Sequence, residues 1–168
     1  MYHRILVAVD GSETSLRALD EALQLAHDAG GQLQPLFVVD VPVMAYDVPA
    51  YDPTYVRNAL IEEATQVTDD AMTRMRRAGV AGTPRIVEAD PVADDVAHCI
   101  QRAAADFKAD VVVIGTHGRR GFQRMVLGSV AERFLRIAQC PVLMISAHCA
   151  GSPAGKATPP SETVKEPS

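Results

Sequence analysis

The fold is decided by residues 110–135, DVVVIGTHGRRGFQRMVLGSVAERFL. The stretch opens with an apolar, β-branched run at 111–114, which is too short for a helix and ends at Gly115, so it predicts a buried strand. A glycine-rich, basic segment follows as far as Gly128, and a helical pattern begins at Ser129. Glycine lets backbone N–H groups approach a ligand closely, and the first N–H groups of a helix lack partners within it. Strand, glycine loop and helix start together predict a phosphate-binding site.

The loop between this strand and this helix carries a local excess of positive charge. It contains Arg119, Arg120 and Arg124 and no acidic residue. Arginine pairs well with phosphate, so Arg119 is a candidate ligand, although Arg119 and Arg120 are equally well interpreted as solvated loop charges. For His117 an ordinary loop position is the simpler interpretation.

The glycine spacing has a specific parallel. Two residues separate Gly115 from Gly118, and nine residues separate Gly118 from Gly128-Ser129. This spacing resembles the nucleotide-binding signature of the universal stress protein family, in its ATP-binding branch. The likeness extends from the opening HRILVAVDGSETSLRAL through Ser146. It implies one α/β domain at 1–146, a Rossmann-like, adenine nucleotide alpha hydrolase-like fold. Pro, Gly, Ser and Thr predominate afterwards, so we expect 147–168 to be a flexible C-terminal tail.

Bulk composition narrows the class of protein. A chain of 168 residues with 48% hydrophobic content suits a single domain with a proper core. The net charge of −5 disfavours a nucleic-acid partner. No apolar run approaches the roughly 20 residues that span a bilayer, and the opening residues do not resemble a signal peptide. The three cysteines form no C-x-x-C pair. We therefore expect a cytoplasmic protein with reduced thiols and no membrane partner.

Strand and helix patterns alternate along the chain. We expect strands at 5–9, 33–39, 82–89, 111–114 and 142–146, and helices after the N-cap Ser12, at 55–78, at 92–107 and from Ser129. This order predicts an open parallel sheet of five strands covered by helices on both faces. The resemblance implies strand order 3-2-1-4-5. Pro35 lacks a ladder donor, so we expect the second strand to start after it or to bulge there. Residues 41–54, with Tyr46 and Tyr51, form either a binding loop or a surface crossing.

The resemblance also assigns roles to single residues. It implies that Asp10 and Val38 contact the adenosine part of a nucleotide, with Ala8 on the same wall. Gly115 and Gly118 would approach ribose and phosphate through their backbone. The N–H groups of Gly128, Ser129 and Val130, and the Ser129 hydroxyl, would hold the β- and γ-phosphates. Each of these two polar residues also has an ordinary structural interpretation that involves no ligand. Asp10 would cap a turn, and Ser129 would be the N-cap of the helix. Ala89 stands where the family usually has glycine.

The sequence supports binding more strongly than catalysis. No catalytic residue, acid–base pair or metal-ligating cluster is recognisable, so the metal ligands are unknown. We expect a nucleotide-dependent stress-response or signalling module that binds ATP, with Mg or Mn, and acts on an unidentified protein partner. A slow ATPase or autophosphorylating enzyme is the alternative, and a flavin-type electron carrier is a third. The apolar last strand predicts a homodimer, as the resemblance also implies.

Overall fold

The computed structural model describes residues 2–42, 53–90, 94–116 and 127–146. The strands are β1 (Arg4–Ala8), β2 (Gln32–Val39), β3 (Arg85–Glu88), β4 (Val111–Gly115) and β5 (Val142–Ile145). The helices are α1 (Glu13–Ala29), α2 (Pro53–Ala78), α3 (Val96–Phe107) and α4 (Ser129–Ile137). The predicted tail at 147–168 and most of the tyrosine-containing loop lie outside the described residues.

All five strands form one parallel sheet in the order β3-β2-β1-β4-β5, which confirms the predicted fold class. Side chains alternate between its two faces. On one face Ile5 and Val7 join the buried residues of α1 and α2. On the other face Leu6 packs with the buried residues of α3 and α4, among them Ile100 and Phe134. Both faces are therefore covered, as the near-continuous apolar strands require.

The helix boundaries follow the local signals in the sequence. The side chain of Ser12 caps α1, as predicted, by accepting a hydrogen bond from the Ser15 N–H at 3.2 Å. Gly30 ends α1 in the left-handed conformation, at φ 59°. Helix α3 begins later than the predicted residue 92, since Asp95 is its N-cap and Val96 its first helical residue. None of the helices in the described part of the chain combines the length and apolar character needed to cross a bilayer.

The expectation for Pro35 was wrong, because β2 runs through it in regular register with Val7 of β1. The backbone of Leu36 faces β1, since its carbonyl accepts from the Val9 N–H at 2.9 Å. Successive residues of a strand direct their backbone N–H and C=O groups to opposite sides, so the nitrogen of Pro35 faces β3. Pairing with β3 begins only at Leu36, opposite Arg85. The lack of an N–H at Pro35 therefore costs no hydrogen bond between β2 and β3, because the two strands are not yet paired at that position. The strand needs no bulge.

Candidate functional site

The sequence-predicted residues that the structure describes lie at or just beyond the carboxyl ends of β1, β2 and β4, or at the start of α4. The chain builds the sheet outward from β1 to β2 and β3 and then returns to place β4 on the other side of β1. In open parallel sheets, ligands bind beyond the carboxyl ends of the strands at such a reversal. Ala8 ends β1, Gly115 ends β4, and the loop after Gly115 leads to the start of α4. Gly118, Arg119, Arg120 and His117 lie outside the described residues.

The N-terminus of α4 begins at a glycine. Its N-cap is Gly128, at φ −60° and ψ 145°, and no side-chain cap hydrogen bond is seen there among the described residues. The interpretation of Ser129 as N-cap was therefore wrong by one residue, because Ser129 is already the first helical residue. The first bond inside the helix runs from the Glu132 N–H to the Gly128 carbonyl at 2.9 Å. The N–H groups of 129–131 come before that bond and have no partner of the helical i−4 type.

The other two helices with a described N-cap are built differently. Ser12 caps α1, and the Asp95 carboxylate caps α3 by accepting from the His98 N–H at 3.0 Å. In both, a side-chain oxygen occupies the place that an anion would take at a helix start. At α4 the glycine leaves that place open, and it lies at the strand reversal.

Backbone hydrogen bonds hold both ends of the glycine loop. The Thr116 N–H donates to the Ile145 carbonyl at 2.8 Å, and the Gly128 N–H donates to the Thr116 carbonyl at 2.7 Å. The second bond fixes the start of α4 against the end of β4. It also engages the Gly128 N–H, which the sequence analysis had assigned to phosphate. Within the described part of the chain, no hydrogen bond is seen from the N–H groups of Ser129 and Val130, which are therefore the open donors at this helix start, and both residues are exposed.

Asp10 lies just beyond β1 and makes the contacts of a turn cap. Its Oδ1 accepts from the Ser12 N–H at 2.9 Å, and its own N–H donates to the Ser15 hydroxyl at 3.3 Å. The carboxylate is half-buried and stands at the predicted crevice. Its structural role is therefore visible, and its contact with a nucleotide stays a prediction.

Ala8 and Val38 form an apolar wall at the same edge. Both side chains are half-buried and pack against the core under α3 and α4, beside Val87 of β3. One step back along each strand on the same face, Leu6 and Leu36 are only 0% and 1% exposed. The cover supplied by α3 and α4 thus ends before the last residues of β1 and β2. A flat apolar ring fits such a partly open position.

Two ion pairs that sequence reasoning missed hold helix starts at this edge. Arg57 in α2 donates to both carboxylate oxygens of Glu88, at 2.7 and 2.6 Å, which ties α2 to the end of β3. Arg133 in α4 donates to Asp95 Oδ2 at 2.8 Å and so connects α4 to the cap of α3. The partners are 31 and 38 residues apart in sequence. Only the sheet order brings them together, so no local signal could have shown them.

The Asp95 carboxylate is held ionised by its neighbours. Burial raises the pKa of Asp95, but hydrogen bonds from the His98 N–H and the Arg133 guanidinium outweigh it and lower the pKa to about 2. Nearby, Asp94 accepts from Arg102, which lowers the pKa of that carboxyl. Among residues 2–42, 53–90, 94–116 and 127–146, no group of three or more His, Cys, Asp or Glu side chains is arranged to hold a metal ion.

Comparison with known proteins gives consistent matches. The family model of the Universal stress protein family matches residues 1–146. A universal stress protein of Methanocaldococcus jannaschii is 33% identical over 146 residues, covering 86% of this chain and 82% of the relative. A solved structure from the universal stress protein family of Burkholderia pseudomallei is 48% identical, with a TM-score of 0.71, and covers 85% of this chain and 96% of that one. A universal stress protein solved in complex with cAMP is 26% identical, with a TM-score of 0.61, and covers 86% and 97%.

Proposed function

Because this chain belongs to the universal stress protein family, we propose that it binds ATP and acts in the cytoplasm as a nucleotide-dependent stress-response or signalling module. One observation carries the proposal: the uncapped start of α4 lies at the strand reversal, beside the apolar wall of Ala8 and Val38. A triphosphate requires backbone donors such as those at this helix start, and a purine ring requires an apolar surface such as this wall. The similar protein solved with cAMP supports the choice of an adenine nucleotide.

The phosphates are the part of the ligand for which the helix start is suited. The N–H groups of Ser129 and Val130 and the Ser129 hydroxyl donate to the β- and γ-phosphates in this proposal. The positive end of the helix dipole adds to their attraction. Gly115 allows the ribose and α-phosphate to approach the end of β4, and Gly118 and Arg119 complete the loop side of the site.

The base and ribose occupy the β1–β2 side of the crevice. Ala8 and Val38 supply the apolar contact with adenine, and Asp10 faces the adenosine part of the ligand. Magnesium or manganese would accompany the nucleotide. Among the described residues, no group of three or more His, Cys, Asp or Glu side chains is arranged to hold a metal ion. Such an ion would be held chiefly by phosphate and water, which is the usual arrangement for magnesium on nucleotides.

Isothermal titration calorimetry of the full chain with MgATP, adenosine and MgGTP tests the proposal. We expect saturable binding of one MgATP per chain below the millimolar range, and weaker binding of MgGTP. Absence of a heat signal into the millimolar range would remove the proposed function.

A second experiment distinguishes the binding module from a slow ATPase or an autophosphorylating enzyme. ADP and phosphoprotein are quantified after a single-turnover incubation, and either enzyme requires product above the protein-free background.

We further propose that β5 pairs with its copy in a homodimer. It is an edge strand, and its Leu143 side chain is 38% exposed. Alternation along β5 places the Val142 and Met144 N–H groups on the outer edge, because the carbonyls of Pro141 and Ile145 accept from β4. Sedimentation velocity should show a dimer for the wild type and a monomer for Leu143→Lys. A monomeric wild type at tens of micromolar contradicts the proposed dimer.

A further inference from the structure

The starts of α3 and α4 are joined by one carboxylate. Both helices cover the same face of the sheet, where Ala97, Ile100 and Phe134 are buried together. Asp95 Oδ1 accepts from the His98 N–H at 3.0 Å and thereby caps α3. Asp95 Oδ2 accepts from Arg133 at 2.8 Å and lies 3.0 Å from His98 Nδ1. The carboxylate is thus fixed to the backbone of α3 while it holds a side chain of α4.

Arg133 acts on the part of α4 that the proposed site uses. It comes four residues after Ser129, so the two side chains lie on the same face of the helix. Among residues 94–116 and 127–146, no side chain caps the start of α4, and the backbone anchor there is the single bond from the Gly128 N–H to the Thr116 carbonyl. The ion pair adds a second attachment one turn further along, on the Ser129 face.

We propose that Asp95 and Arg133 are positioning residues that fix the start of α4 against α3, so that the Ser129 and Val130 N–H groups are aligned for a polyphosphate. The inference rests on the proposed nucleotide binding and deepens it, because it assigns triphosphate affinity to two residues outside the set proposed to contact the nucleotide. The pair acts through α4. It therefore governs affinity for the phosphates and not for the base.

Positioning and simple electrostatics predict different outcomes. If only charge near the phosphates mattered, Asp95→Asn would free a cation and tighten MgATP binding, whereas Arg133→Gln would weaken it. If the pair positions α4, both substitutions weaken binding, and by similar factors, since either one breaks the same connection. Asparagine caps helices as well as aspartate does, so Asp95→Asn retains the start of α3. Arg133 is 62% exposed, so Arg133→Gln leaves the core intact.

The test is a calorimetric double-mutant cycle on the full chain, with MgATP and adenosine as probes. We expect Asp95→Asn and Arg133→Gln each to raise the Kd for MgATP between about three- and thirtyfold, the range seen for coupling through packed networks. The double variant should be no weaker than either single variant. Adenosine affinity should stay at the wild-type value, and Arg133→Lys should recover most of the loss in MgATP affinity.

Arg136→Gln is the matched control, because Arg136 pairs with Glu132 at 2.7 Å within α4 and, as far as the described residues go, makes no ion pair with another element. It should bind MgATP like the wild type. Unchanged MgATP affinity in Asp95→Asn and Arg133→Gln, or opposite shifts in the two, overturns the positioning role while the proposed function stands. Failure of the wild type to bind MgATP removes the proposed function and this inference with it. Equal losses for adenosine and MgATP also overturn it, since they indicate a general structural defect.

Discussion

The substitution Ser129→Asp tests whether the start of α4 binds phosphate, because the two cases predict different changes in ligand affinity. Ser129 is the first residue of α4, is exposed, and has no side-chain cap beside it. A carboxylate there has two opposite effects. It interacts favourably with the helix dipole and the free N–H groups, and it repels any phosphate that those groups would bind. Stability and affinity should therefore change in opposite directions.

The magnitudes follow from the geometry of a helix start. For a carboxylate at residue 129 and a phosphate charge separated by about 5 Å, with an effective dielectric constant of about 20 to 40, the repulsion is roughly 1.7 to 3.3 kcal/mol per unit of phosphate charge. This weakens MgATP binding by roughly 15- to 250-fold. The dipole contributes about 0.3 to 1 kcal/mol of stability to the ligand-free protein, which corresponds to a rise in Tm of about 1–4 °C.

Ser129→Asn is the matched control, because asparagine has almost the shape of aspartate without its charge. We expect calorimetry to show a much weaker interaction of MgATP with Ser129→Asp than with Ser129→Asn. Differential scanning calorimetry of the two ligand-free variants should give the higher Tm to Ser129→Asp. If the two variants bind MgATP equally, the phosphates do not lie at the start of α4, and the assignment of the site is refuted.

Three further predictions concern the apolar wall, a buried thiol and acid stability. Ala8→Val adds two methyl groups to the wall and should raise the Kd for adenosine about tenfold. The Tm should change little, since valine is favoured in strands. An unchanged Kd in calorimetry would show that the base does not contact this wall. Burial and the neighbouring Asp94 raise the pKa of the Cys99 thiol from 9.0 to about 11, so at pH 8 its alkylation by iodoacetamide should be at least about a hundredfold slower than in denaturant; equal rates in peptide mass spectrometry contradict this. The pKa of Asp95 is about 2 in the folded chain and ordinarily 3.8, so its stabilising contribution is complete above about pH 4 and is lost as the pH falls through about 2. Chemical denaturation should therefore show the stability difference between the wild type and Asp95→Asn shrinking over that interval, and a constant difference contradicts the assignment.

The strands and helices could be predicted from local patterns in the sequence, whereas the strand order came from the family resemblance. The apolar strands, the stripes of the helices and the caps at Ser12 and Gly30 each act within a few residues, so their signals can be read locally. Pro35 shows the limit of this approach. Whether a proline disrupts a strand depends on which neighbour its nitrogen faces and where that neighbour begins, and both are properties of the assembled sheet.

The sequence predicted where α4 begins to within one residue, but not the hydrogen bonds at that helix start. The glycine spacing indicated the start of α4, but it could not show that Gly128 is the N-cap or that its N–H is bonded to Thr116. Asp95 and Arg133 gave no signal, because they follow different strands and meet only when α3 and α4 pack on the same face. Contacts between distant segments depend on tertiary structure, whereas a glycine motif depends on the backbone that it forms itself.

The central claim is that the open N–H groups at the start of α4 hold the phosphates of an adenine nucleotide. A titration of the ¹⁵N-labelled full chain with MgATP, followed by amide NMR, tests it most directly. We predict saturable shifts that are largest at Ser129 and Val130, with smaller ones at Ala8 and Val38. Amide signals of α4 that stay unmoved into the millimolar range, or shifts confined to another part of the molecule, would contradict the account.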